Sequence, residues 1–391
     1  MQASKHFSKD AVSAYEIAAY YFPNFHRDAR NEVRYGRGWT EWELLKGAQP
    51  RFSGHAQPKI PLWGYEDESI PSVMERKIAM AVEHGLSSFI FDWYWYEDRP
   101  FLARALEEGY LQAANRSDLK FALMWANHDW MDIFPLRRGQ KADLVFKGAV
   151  DSDCFERLCR YVIDHYFSQP SYWKVDGCPY FSIYEMGTFL RGFGTVSAAR
   201  EALERFRQLT REAGFPDLHL NMVVWQIPNL PGETLVADPR ARVNDLGVDS
   251  LTSYAWIHHS RLPEFPLSPY TQALAENVQV WDHYAKTFDP PYFPNVSMGW
   301  DPSPRTEQGA PYELLGYPYT PILEGNTPTA FAAALWEARN FLEHNPKSRN
   351  ILTINAWNEW TEGSYLEPDT EHGFAYLEAF RSVFGPESIS G

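Results

Sequence analysis

The chain has 391 residues, 45% hydrophobic and 22% charged, the balance of a globular protein long enough for one decorated domain or two smaller ones. Its net charge of −15, from 51 acidic and 36 basic side chains, argues against a nucleic-acid backbone or an anionic membrane surface as partner. Three cysteines without metal-type spacing and no apolar leader in Met1 to Glu16 point to a reducing compartment, so the expected location is cytoplasmic, or periplasmic or secreted if a leader was trimmed.

Tyr15 to Phe22 is a strand-type run stopped by Pro23. A loop of about sixty residues follows, far beyond the usual connection. It carries Gly38-Trp39-Thr40-Glu41-Trp42 and Gly54-His55-Ala56-Gln57-Pro58, a content that marks it as functional, and Thr40 and Glu43 have capping-box spacing. Pro71 opens a helix with Met74, Ile78, Ala81 and Val82 as its apolar stripe and Gly85 at its end. Strand-type runs then cover Ser88 to Tyr96, Lys120 to Trp125, Pro179 to Glu185, Leu218 to Gln226, Ser250 to Trp256, Tyr292 to Trp300 and Ile351 to Ile354. Helix-type runs lie between them at Pro100 to Ala114, Asp151 to Tyr166 and Ser197 to Ala213, with a short or irregular link before Ser250. Ser268, before Pro269, is placed to cap a helix running to Phe288, and Thr327, before Pro328, one running to His344. Gly373 to Phe384 is a short last helix.

Eight strands alternating with helices, without repeat or linker, predict a parallel α/β sheet with right-handed crossovers. Over this length the expectation is a (β/α)8 TIM barrel, one catalytic domain over residues 1–391 with a core of about 15–384 and a long insertion after strand 1. An open doubly wound sheet is the alternative, but strand 1 is not followed by a Gly-rich phosphate turn. Closure is supported by the strand ends, which in a barrel meet on the face where active sites sit. They supply Tyr20 and Asn24, Asp92 and Tyr94, Trp125, Asn127 and His128, Tyr184, Trp225, Tyr254 and Trp256, and Trp300 and Asp301. These residues, with Trp39, Glu41, His55 and Gln57 from the long loop, are the candidate substrate-binding set. Aromatic residues make up 16% of the chain, and Trp and Tyr offer a flat apolar ring with one polar handle.

The densest stretch is Ile351 to Pro368, where a buried-type strand runs into Asn355, Trp357, Asn358, Glu359, Trp360, Glu362 and Tyr365. Trp357, Asn358 and Tyr365 join the binding set, and Glu359 and Glu362 are the candidate catalytic pair of a sugar-cleaving enzyme, one to protonate the leaving oxygen and one as base or nucleophile. Three residues apart on a straight strand they point to opposite faces, so the backbone has to turn after Glu359, and Gly363 suits a turn. His55, His128, His258 and His259 have no metal-binding spacing, so neither metal nor cofactor is expected. No apolar run approaches the roughly 18 residues of a membrane span. The expected partner is a carbohydrate substrate.

Gly38 to Trp42, Gly54 to Pro58, Trp125 to Asn127, Gly299 to Asp301 with Pro304-Arg305, and Trp357 to Gly363 with Leu366 to Pro368 resemble the WbsX-type domain over about Tyr15 to Phe384. Such proteins are often labelled glycosyltransferases of polysaccharide clusters and are related to glycoside hydrolase family 99, the endo-α-mannosidases and endo-α-mannanases. The resemblance implies a (β/α)8 barrel and a metal-independent, retaining glycosidase acting on an α-linked oligo- or polysaccharide. It implies Glu359 as the base that deprotonates the sugar 2-hydroxyl and Glu362 as general acid, then base; the residues alone equally allow Glu359 as a direct nucleophile. After Asn127 the chain continues His128-Asp129-Trp130-Met131 where related sequences have an acidic residue and a Trp-Thr-Arg-Arg run, so mannose specificity is not carried over. A glycosyltransferase or transglycosylase building a surface polysaccharide, and a sugar-binding protein without catalysis, are the other two readings.

Overall fold

A computed structural model describes residues 15–385. The parallel sheet at its centre contains β1 (Glu16–Tyr21), β2 (Ser88–Tyr96), β3 (Lys120–Trp125), β4 (Cys178–Ile183), β5 (His219–Val223), β6 (Ser250–Thr252), β7 and β8 (Ile351–Asn355). Pairing runs from β6 through β5, β4, β3, β2 and β1 to β8. The seventh strand closes the ring in two pieces. Tyr292–Phe293 pairs with β6, Asn295–Ser297 pairs with β8, and Pro294, which has no N–H for a ladder, separates them. Its carbonyl still accepts the Thr353 N–H at 3.0 Å. The expected continuous strand to Trp300 is therefore two short ones.

The barrel interior is partly polar. Ser182 donates to Asn221 and Asn221 to Ser250, while Thr252 and Thr353 meet across the barrel at 3.1 Å. Two helices, α1 (Ala29–Tyr35) and α2 (Trp42–Gly47), belong to the long loop, and outside the barrel pack α3 (Pro71–Glu83), α4 (Ser152–Val162), α5 (Met186–Phe193), α6 (Val196–Glu212), α7 (Pro239–Leu246), α8 (Tyr270–Thr287), α9 (Pro328–His344) and α10 (Ala375–Phe384).

Local signals explain most boundaries. Pro71 starts α3, and Thr327 caps α9 by accepting the Ala330 N–H. Four expectations change. The buried stripe of α3 includes Lys77 rather than Val82, because Lys77 lies between Met74 and Ala81 and its charge is met by Glu68 and Glu367, both at 2.6 Å. Arg99–Phe101 folds back antiparallel on the end of β2, so helical turns begin only at Ala105. Ser268 caps nothing; it lies in a short strand, Leu267–Pro269, and its hydroxyl donates to the Glu264 carbonyl. Thr40 and Glu43 form no capping box, since α2 starts at Trp42 and Glu43 turns outward to Lys46. The long loop after β1 is ordered, with α1 and α2 inside it, and lies over the C-terminal face of the barrel.

Candidate active site

Beyond β8 the chain doubles back. Asn358–Glu359 pairs antiparallel with Ser364–Tyr365, and a single 3₁₀ turn, Trp360–Glu362, joins them. Gly363 closes the turn at φ +65°, and a Cβ there would lie 2.7 Å from the Asp301 Cβ, so neither the backbone angle nor the space admits a side chain. The Asn358 side chain continues the ladder where the sheet has stopped: it accepts the Phe22 N–H at 2.8 Å and donates to the Phe22 carbonyl at 2.7 Å. This turn brings Glu359 and Glu362 to the same pocket, of about 680 Å3, at the C-terminal ends of the strands.

Arg305 is the cation of that pocket. Its Nη1 binds Glu362, its Nη2 lies 3.6 Å from Glu359 Oε1, and Nη2 and Nε bind Glu41 at 2.7 and 2.8 Å. Tyr317 donates to Glu362 Oε1 at 2.6 Å. Both contacts of Glu362 fall on Oε1; among the described residues no donor reaches Oε2. Tyr254 bridges a second pair, with its hydroxyl 2.6 Å from Glu359 Oε2 and 2.8 Å from Asp92 Oδ2. Burial raises Glu359 well above the usual carboxylate range; Glu362 pushes in the same direction, and Arg305 opposes it. Glu362 is raised by burial as well, and Arg305 and Tyr317 hold it back. On the opposite wall Tyr184 donates to Glu233, beside His258, and the Glu233 carboxylate accepts the N–H groups of Asn229 and Leu230, fixing the loop that forms that wall. Burial lowers His128.

A raised carboxylate binds its proton in the folded chain above the pH at which the unfolded chain loses it, so its cost to stability grows as pH rises from the ordinary value of 4.5 toward neutrality. Glu359→Gln removes that cost. Its melting temperature at neutral pH is expected to exceed wild type by about 2 °C or more, a gain that fades as pH falls toward the carboxylate's ordinary range. Scanning calorimetry across pH checks this; a lower melting temperature than wild type at neutral pH refutes it.

Of the residues singled out in the sequence, Asp92, Tyr94, His128, Tyr184, Tyr254, Trp300, Glu359 and Glu362 line this pocket. His55, Asp301 and Tyr365 instead line a second cavity of about 960 Å3, to which Trp300 also contributes. There Asp301 accepts from Gln57 at 2.8 Å and meets His55 at 3.0 Å, an arrangement that ties the long loop down. Glu41 and Asn24 stand behind the pocket wall, with Asn24 donating to Glu41 and Glu41 holding Arg305. Several others turn away. Tyr20 lies under Tyr254 in the barrel. Trp125 packs on Phe155 and Phe189, Trp256 donates to the Asn295 carbonyl, and Trp357 packs on Phe89. Asn127 is used on the Glu185 backbone, and Asn358 on Phe22. Trp39 packs on Tyr35 and meets Phe134 edge to face, and Trp225 backs Tyr184 and His258. Arg305 and Tyr317 also line the pocket, as does an apolar wall of Phe22, Met124, Met131, Ile133 and Phe134, none of them candidates from the sequence. Arg305 was legible only as part of the Pro304-Arg305 motif.

The chain as a whole is similar to several known proteins. The family model described as Glycosyltransferase WbsX matches residues 17–380. Two curated relatives, the uncharacterized protein WxcX of Xanthomonas campestris pv. campestris strains ATCC 33913 and B100, are each 27% identical over 386 residues, covering 94% of this chain and 49% of WxcX. The chain thus spans about half the length of the curated relatives it matches. Among solved structures, the GH99 endo-α-mannosidase from Bacteroides thetaiotaomicron superposes with a TM-score of 0.57 at 12% identity, over 97% of this chain and 98% of that one. A glycoside hydrolase-like protein superposes at 0.59 with 14% identity, over 98% and 97%. At such identities the likeness is one of fold, a TIM barrel. Among the described residues no group of side chains suits a metal ion, and no helix is long and apolar enough to cross a membrane.

Proposed function

This chain belongs to the WbsX family, and from that premise we propose that it is a retaining glycoside hydrolase acting on an α-linked oligo- or polysaccharide. The observation that carries the reading is the turn that puts Glu359 and Glu362 on one arginine at one pocket. Glu362, raised by burial and with Oε2 free of donors, is suited to give a proton to the leaving oxygen and then to take one from water. Glu359, oriented by Tyr254 and within reach of Arg305, serves as base on the sugar 2-hydroxyl or as direct nucleophile. Apolar and aromatic side chains on the facing wall give a sugar ring its stacking surface.

Charge narrows the substrate. The pocket carries Asp129, Glu359 and Glu362, and among the described residues its one arginine is already engaged by Glu41 and Glu362. Neutral glycans are therefore expected to be cleaved and polymers of uronic acids to resist. A panel of both kinds, read by mass spectrometry for released fragments, tests this. Preferential cleavage of the acidic polymers refutes the charge argument, and no cleavage of any glycan refutes the hydrolase.

The family's description as a glycosyltransferase favours a second reading, transfer from a nucleotide sugar. Calorimetric binding of a nucleotide sugar, with no hydrolysis of free glycans, is the result that would replace the first reading by this one.

A further inference from the structure

Tyr254 has one hydroxyl hydrogen and faces two carboxyl groups, Asp92 Oδ2 at 2.8 Å and Glu359 Oε2 at 2.6 Å. An ionised carboxylate only accepts, so if both were ionised one of these short contacts would set lone pair against lone pair. One carboxyl must supply a second hydrogen. The two surroundings differ. Glu359 Oε1 lies 3.6 Å from the Arg305 guanidinium. Asp92 ion-pairs with no cation among the described residues, and its buried Oδ1 has no hydrogen-bond partner. The titratable groups facing it are the hydroxyls of Tyr20, Tyr94 and Tyr254 and the carboxyls of Glu359 and Glu362, none of which offers positive charge. A charge left in that place with one oxygen unpartnered is costly, and a neutral acid is not.

We infer that Asp92 is a positioning residue held in its protonated form, which donates to the Tyr254 oxygen so that the Tyr254 hydrogen is fixed on Glu359. The hydrogen bonds then run one way: Asp92 Oδ2–H to Tyr254, and Tyr254 O–H to Glu359 Oε2. Glu359 keeps its negative charge and its Oε1 for a substrate hydroxyl. A neutral Asp92 also no longer repels that charge. Burial pushes the Asp92 carboxyl well above its ordinary range, a hydrogen bond received from Tyr254 opposes this and Glu362 adds to it, and the net direction agrees with this arrangement. The catalytic consequence rests on the proposed glycosidase function; the place of the proton does not.

Infrared difference spectra at neutral pH, taken on the whole chain without glycan, test the proton. Wild type minus Asp92→Asn is expected to show the C=O band of a protonated carboxyl, and wild type minus Glu359→Gln to lack it. In Tyr254→Phe the band is expected to persist at higher frequency, its acceptor gone; this arm decides the matter if Asp92→Asn does not fold. A band that belongs to Glu359 instead, or no protonated-carboxyl band that responds to Asp92 or Tyr254, overturns the inference. Cleavage assays test the positioning. Asp92→Asn, whose amide N–H can donate as the acid does, is expected to outpace Asp92→Ala by about ten-fold. Equal rates overturn that role. A chain that cleaves no glycan at all refutes the proposed function and leaves the infrared result to stand alone.

Discussion

Glu362→Gln is expected to slow glycan cleavage about a hundred-fold or more, the usual cost of losing a general acid. The substitution is close to isosteric. A glutamine carbonyl can still accept from Arg305 and from Tyr317, as Glu362 Oε1 does, so the turn and its partners have reason to stay in place. The amide can neither give a proton to a leaving oxygen nor take one from water. Initial rates on a cleavable glycan, compared with Glu359→Gln on the same substrate, provide the measurement. Retention of wild-type rates by both variants would remove the Glu359–Glu362 pair from the chemistry.

Arg305→Met is expected to destabilise the fold by about 3–5 kcal/mol at neutral pH, the typical cost of leaving buried charge without its partner. Arg305 is 4% exposed and meets Glu41, Glu359 and Glu362, all of them buried. Methionine fills comparable length but leaves three carboxyls without their cation. The affinity of Glu359 and Glu362 for protons then rises in the folded chain, because Arg305 no longer holds it down, while in the unfolded chain it stays ordinary. The folded state therefore binds more protons above the ordinary carboxylate value, and the deficit grows with pH. Urea denaturation at neutral pH and near pH 5 measures both effects. A variant as stable as wild type at neutral pH would mean that the arginine does not hold the cluster together.

The barrel was legible in the sequence because each strand is a short apolar run bounded by turns, and its strand ends carry polar and aromatic groups. The run Ser88 to Tyr96 is a strand over the whole predicted range. What the pattern at a strand end lacks is parity. Side chains alternate along a strand, so of neighbouring candidates only every second one faces the site. On β2, Asp92 and Tyr94 line the pocket, while Trp93 and Trp95 reach out to Tyr166 and Cys154. At the end of β3 and just beyond it, Met124, Ala126 and His128 line it, and Trp125 and Asn127 do not. Trp256 has the parity of Tyr254, but the strand has ended and a 3₁₀ turn rotates it away. Arg305 ends a single 3₁₀ turn, Ser303–Arg305, beyond β7 with no periodicity to mark it, and its role follows only from the acidic groups that gather on it in space. The turn after Glu359 was legible in Gly363; the second requirement on that glycine, the closeness of Asp301, was not.

The side-chain amide of Asn358 holds Phe22 across 336 residues of sequence, and Thr361 reaches Glu41 across 320. During synthesis the ribosome releases the N-terminal side of the site long before the glutamates exist. Until Asn358 has emerged, Phe22 has no amide to hold it, and Glu41 and Arg305 wait without Glu359 and Glu362. The pocket is therefore completed late in synthesis, when the hairpin that carries both glutamates can reach the first strand.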